Sequence, residues 1–142
     1  MTDEVLESPA PRRPDPALLG GVALGGAVGS LGRWAVGLAL PHDGGAFPWA
    51  TFLVNVTGAL AMGLLVAFLV DRPGAHRLAR PVLGVGLLGG WTTFSALAVD
   101  AVGLGEGGHP GTAALYLAAT FVVGVLAVAG GLRLGRAVWP GP

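Results

Sequence analysis

The chain has 142 residues, of which 53% are hydrophobic and 11% charged, with no cysteine and a formal net charge of zero. An ordinary soluble domain carries about 25% charged residues, so the composition excludes a soluble globular class and points to a membrane protein with no nucleic-acid partner. Without cysteine there is no disulfide or thiol chemistry, and the three scattered histidines give no metal-ligand spacing.

Residues 1–16 hold four prolines and four acids and are expected to form a disordered tail. The first apolar run, 17–40, carries only Arg33. It is longer than the apolar core of a signal peptide, follows Asp3, Glu4 and Glu7, and lacks a small-x-small cleavage site, so it is expected to stay as a helix. Three further runs, 48–70, 81–99 and 111–132, carry no charge. Each is long enough to cross a hydrocarbon core of about 30 Å at about 1.5 Å per residue. The pattern predicts an all-α integral membrane domain over 17–136 with four transmembrane helices, joined by turns at Gly44-Gly45 and Gly105–Gly108 and followed by a tail over 137–142.

All eight basic residues are arginines, and they are placed unevenly. Arg12 and Arg13 precede helix 1, Arg72, Arg77 and Arg80 lie between helices 2 and 3, and Arg133 and Arg136 close helix 4. The other two loops have none. With four spans these regions share one face, and the excess of arginine predicts cytoplasmic N- and C-termini. Glycines at 21, 25 and 29 in helix 1, and at 86 and 90 in helix 3, form small-residue faces suited to close helix approach. For helix 1, packing within the subunit and dimerisation are both open.

Polar residues within the spans are the candidate functional groups, because hydrocarbon disfavours them. Arg33 is placed to snorkel, bind an anion or hold a carbonyl, with snorkelling or a structural role favoured. Thr51 and Asn55 are one helical turn apart and lie on one face. The neutral amide of Asn55 offers two donors that suit an anion, or it serves as interhelical glue. In helix 3, Gly89-Gly90 followed by Thr92-Thr93 weakens helix propensity near the middle of the run and predicts a break that frees carbonyls for a cation and hydroxyls for an anion. Phe94 offers a ring edge, the positive part of an aromatic quadrupole. Asp100 reads as a solvated helix end without an evident partner, and Tyr116 as an interfacial residue. No enzyme is expected, since Ser95 and the threonines have no base in the membrane to activate them.

The segments Gly25-Gly-Ala-Val-Gly-Ser-Leu-Gly-Arg-Trp34, Thr51-Phe-Leu-Val-Asn55 with Gly58, and Gly89-Gly-Trp-Thr-Thr-Phe-Ser95 resemble the Fluc (CrcB) family of fluoride channels in order, spacing and helix count. The resemblance implies an antiparallel dimer in the cell membrane, one subunit inverted relative to the other, with two fluoride pathways and a structural sodium ion where the two helix 3 breaks cross. By position it implies backbone oxygens of Gly89 and Thr92 for sodium, and Asn55, Phe94 and Ser95 along the fluoride route with Thr51 near it. The activity it implies is passive export of fluoride.

Two departures modify that expectation. Where the family's helix 3 usually continues Phe-Ser-Thr-Phe, this chain has Phe94-Ser95-Ala96-Leu97, losing a hydroxyl and a ring. Seven arginines on one face, against none on the other, also disfavour a subunit that inserts both ways. Together they favour a heterodimer, with an inverted homologous subunit supplying the missing ring, over a homodimer. A non-conducting scaffold subunit is the alternative of a different class. A small multidrug-type transporter ranks lower because helix 1 lacks the carboxylate needed to couple protons.

Overall fold

The computed structural model describes residues 15–70 and 78–139. Residues 1–14 of the tail expected over 1–16, the arginines at 12, 13, 72 and 77, and residues 140–142 lie outside the described residues. Four helices are long and apolar enough to cross a membrane, and no strand occurs among the described residues. They are α1 (Pro16–Ala39), α2 (Trp49–Val70), α3 (Arg80–Glu106) and α4 (Pro110–Val138).

The boundaries follow local chemistry more than charge. At the start of α1 the Asp15 carboxylate accepts from the Ala17 amide at 3.0 Å, and Pro16 occupies the first turn, where its missing N–H costs nothing. Pro16 therefore belongs to the helix and Asp15 caps it, where both were expected in the tail. The helix ends where Leu40 precedes Pro41, since a residue before proline avoids the α conformation. The third and fourth helices run beyond their expected ends at 99 and 132, to Glu106 and Val138. A charge ends a hydrocarbon run but not a helix, and Arg136 in the last turn of α4 favours the negative end of the helix dipole. Residues 137 and 138 are thus helical, not tail. Gly108, at φ +82°, makes the tight turn into α4.

Glycine decides which helices touch. A Cβ on Gly25 would lie 2.7 Å from the Val82 carbonyl oxygen, and one on Gly29 would overlap the Leu87 carbonyl. One on Gly90 would overlap the Gly26 carbonyl. The helix 1 stripe consequently packs against α3 of the same chain. On the other side of the subunit Gly63 and Gly131 face each other, so α2 and α4 also meet backbone to backbone.

Within α3, residues Arg80–Leu88 wind as a wide π-type helix, with the Gly89 N–H reaching back to the Gly84 carbonyl, and Gly89–Trp91 form one α-helical turn. The helix then breaks. Thr92 (φ −80°, ψ 159°) and Thr93 (φ −152°, ψ 126°) are extended, and helix resumes over Phe94–Glu106. The break falls on the β-branched threonines, which favour extended backbone. Gly89 itself is helical, and Gly90 serves the close approach to α1. The break thus falls in the expected Gly89–Thr93 stretch, with the extended conformation on Thr92 and Thr93.

Across the break α3 changes neighbours: its first half packs on α1 and its second half on α4. The small buried core lies with the second half, where Leu104, Ala113 and Tyr116 pack with Phe47, Phe52, Leu97 and Ala101. Thr93 caps this half, its hydroxyl accepting from the Ala96 amide at 3.2 Å. Thr93→Ala is expected to destabilise the protein by about 1 kcal/mol, with Thr93→Ser near wild type. Thermal unfolding in detergent checks this, and equal midpoints for Ala and wild type would remove the cap from the account.

Candidate functional site

The break turns α3 from a self-satisfied helix into a set of exposed backbone groups, and side chains of α1 and α2 take up most of them. The Asn55 amide pairs twice with Thr93: its Nδ2 donates to the Thr93 carbonyl at 3.0 Å, and its Oδ1 accepts from the Thr93 N–H at 2.8 Å. This is the pairing a neighbouring β-strand would give an extended residue. It uses the amide oxygen and one of the two N–H donors. Arg33 donates from Nε to the Gly90 carbonyl at 3.0 Å. Of its three expected roles, the guanidinium therefore holds a carbonyl. Trp91 Nε1 donates to the Thr57 hydroxyl at 3.0 Å.

The four carbonyls from Gly89 to Thr92 lose their helical partners at the break, and Arg33 takes that of Gly90. In an unbroken helix the Gly89 carbonyl would accept from the Thr93 amide and the Thr92 carbonyl from the Ala96 amide. Here the Thr93 amide is bonded to Asn55 and the Ala96 amide to the Thr93 hydroxyl. These are the two residues whose backbone oxygens were expected to face a cation.

Asp100 is not the solvated helix end expected of it. Its Oδ2 accepts from the Thr51 hydroxyl at 2.7 Å and from the Tyr116 hydroxyl at 3.2 Å, while Oδ1 lies 3.9 Å from His42 Nε2. Tyr116 is fully buried and Thr51 nearly so. The carboxylate thus joins α2, α3 and α4 to the α1–α2 loop. The idea that Asp100 has no partner is corrected: the partners come from positions far away in the chain, which sequence spacing does not display. Thr51 also commits its only O–H to Asp100 and presents lone pairs elsewhere.

Phe94 is 81% exposed and stands outside the subunit core. It borders an open groove of about 810 Å³ together with Asn55, Thr92, Leu97, Thr120 and Phe121. Ser95 is exposed beside it, its hydroxyl 3.2 Å from that of Thr93. On the opposite side of α3, Arg33, Ser30, Thr51 and Thr93 line a second cavity of about 380 Å³. Asn55, Thr92 and Phe94 are therefore brought together at one groove, Thr51 belongs to the other cavity, and Asp100 and Tyr116 form the joint beyond it. Sequence reasoning missed Thr93 as the residue Asn55 holds, and Thr120 in the groove. The spacing of Tyr116 and Thr120, one turn apart on α4, was the available signal for the latter.

These features define an integral membrane subunit of four spans, built around a broken third helix. The family model described as CrcB-like protein, Camphor Resistance (CrcB), matches residues 21–132, and the chain belongs to that family. It is 52% identical, over 70% of its own length and 63% of the relative's, to the fluoride-specific ion channel FluC 2 of Streptomyces avermitilis. That match spans somewhat less than two thirds of the relative. It is 46% identical to FluC 2 of Nocardia farcinica over 85% of this chain and 84% of that one. To FluC 1 of Streptomyces coelicolor it is 45% identical over 75% of this chain and 70% of that one.

Proposed function

We propose that this chain is a subunit of a passive fluoride channel of the cell membrane that returns fluoride from the cytoplasm to the outside. The observation that carries the reading is the break in α3, held by both polar ends of the Asn55 amide beside an open groove, in a chain about half identical to proteins named fluoride-specific ion channels. Neutral hydrogen fluoride crosses a bilayer and ionises in the near-neutral cytoplasm, so a channel needs only the ion's own gradient and no catalysis. The remaining N–H of Asn55, the edge of Phe94 and the Ser95 hydroxyl supply neutral, positively polarised ligands for the anion.

The groove is the face on which a second, inverted subunit would sit. Exposed Phe94 and Phe121 beside Asn55, Thr92 and Thr120 suit an interface that is mainly apolar. The carbonyls of Gly89 and Thr92, freed from their helical partners, suit a hard cation that prefers oxygen ligands, and a structural sodium ion shared by two breaks would supply the charge that holds them together. Leu97 occupies the position of the family's second phenylalanine and lines the groove. A heterodimeric partner with the opposite arginine bias would fill it with a ring. The numbering FluC 1 and FluC 2 in the relatives' names is what a two-chain arrangement would give. The arginines at the ends of α3 and α4 favour cytoplasmic termini for this chain.

Fluoride efflux from liposomes, followed with a fluoride electrode, tests the reading. The expected outcome is efflux when the protein is reconstituted with a homologous subunit encoded beside it, and little without. Efflux from the protein alone would replace the heterodimer with a homodimer. No efflux in either arrangement would overturn the channel reading in favour of a scaffold subunit.

A further inference from the structure

The end of α2 and the start of α3 lie at one membrane face, and an apolar cavity of about 290 Å³ opens between them. Met62, Leu65 and Leu69 of α2 and Gly84 and Val85 of α3 line it, with Arg80, the first residue of α3, as its charged member. Val85 is 69% exposed, so the cavity opens outward and not into the subunit. Gly84 forms its floor: a Cβ there would lie 3.6 Å from Leu65 Cδ2 and 4.0 Å from Met62 Cε, and the space above belongs to no side chain. From Leu69 inward to Met62 the cavity follows α2 for about 10 Å, against about 15 Å for the hydrocarbon of one leaflet. Trp139 marks the depth of the outer end. Its ring meets Phe68 edge-on at 5.2 Å, and tryptophan belongs at the level of the lipid headgroups.

Arg80 is exposed and, among the described residues, has no carboxylate within ion-pair distance. The other lining residues offer hydrocarbon and a thioether. A cation at headgroup depth, above apolar walls that run toward the middle of the bilayer, matches a molecule with an anionic head and a hydrocarbon tail. We propose that this cavity binds one anionic phospholipid, its phosphate on the Arg80 guanidinium and the upper part of an acyl chain along Met62, Leu69 and Gly84. A guanidinium suits a phosphate because its N–H groups meet two oxygens at once. A small free anion would gain nothing from the apolar walls. The adjoining sequence strengthens the field, since residues 71–80 hold three arginines against one aspartate. The proposal needs the membrane class of the protein and not the identity of the ion it conducts.

Native mass spectrometry of the assembled protein in detergent, titrated with phosphatidylglycerol or with phosphatidylcholine of the same acyl chains, tests this. Wild type is expected to retain one phosphatidylglycerol per chain about fivefold more strongly than phosphatidylcholine, the difference that one arginine makes at a membrane surface. Arg80→Gln should hold the two lipids equally. Arg136→Gln, which removes an exposed arginine outside the cavity, should keep the preference. Gly84→Leu fills the floor and should weaken both lipids while leaving their ratio near fivefold. A preference that survives in Arg80→Gln, or falls as far in Arg136→Gln, would overturn the site in favour of diffuse attraction to the basic ends of the helices. Retention untouched by Gly84→Leu would reduce the interaction to a phosphate contact and overturn the groove. Single chains that hold the lipid where assembled ones do not would mean that a second subunit covers the cavity, and would overturn the proposal as well.

Discussion

Liposomes carrying Asn55→Asp should lose fluoride efflux by about 100-fold or more, the equivalent of about 2.7 kcal/mol in a rate. The substitution keeps the size of the side chain and the acceptor for the Thr93 amide, 2.8 Å from Oδ1. What it removes is the donor to the Thr93 carbonyl, 3.0 Å away. A carboxylate oxygen would then face a carbonyl oxygen with no proton between them, and a formal charge would sit inside a membrane span, nearly two turns from the start of α2, where hydrocarbon disfavours it. The same carboxylate would repel the anion. Helical content by circular dichroism should stay near wild type, since α2 itself needs no bond from Asn55. Wild-type efflux from Asn55→Asp would show that the amide neither holds the break nor touches the pathway.

The second large effect is on stability, and two adjacent residues of α4 should respond in opposite ways. A Cβ on Gly131 would overlap the Leu60 carbonyl and approach Leu64 N to 3.0 Å and the Gly63 Cα to 3.1 Å. Backbone has little room to yield, so Gly131→Ala is expected to cost about 2–3 kcal/mol through forced separation of α2 and α4. At Gly130 the same methyl group meets nothing within 4 Å. Gly130→Ala should be neutral or stabilise by up to about 1 kcal/mol, because alanine loses less backbone entropy in a helix. Thermal unfolding of both variants in detergent decides the matter. Equal behaviour of the two would mean that α2 and α4 are not in backbone contact at this level.

The four spans were legible in the sequence because hydrocarbon tolerates no unsatisfied backbone and few charges, so a membrane helix writes itself as an uninterrupted apolar run. The break was legible too, but its cause was not. Gly90 and Thr92 are nearly adjacent in sequence and do different things: one lets α1 approach, the other carries the extended backbone. Local propensity weighs both as helix-weakening and has no means of telling a glycine used for contact from one used for flexibility. Asp100 was read as solvent-facing for a related reason. Its partners, Thr51 and Tyr116, lie on other helices, and a bond across 49 residues leaves no periodic trace. Arg33 fell between, since a lone arginine in a span announces that it needs a partner without naming the carbonyl of Gly90.

The change of neighbours along α3 has a bearing on how the protein is made. A nascent chain emerges N-terminus first, so Arg80–Leu88 meets a finished α1, whose glycines are ready to receive it. Phe94–Glu106 is in the reverse situation, because its packing partner, α4, has not yet been synthesised. Only Gly107, Gly108 and His109 separate the end of α3 from the start of α4, so the wait is short. Thr92 and Thr93 thus mark a boundary in time as well as in space. What lies before them can settle on structure already present, and what lies after them stays provisional until the last helix folds back and Tyr116 reaches Asp100.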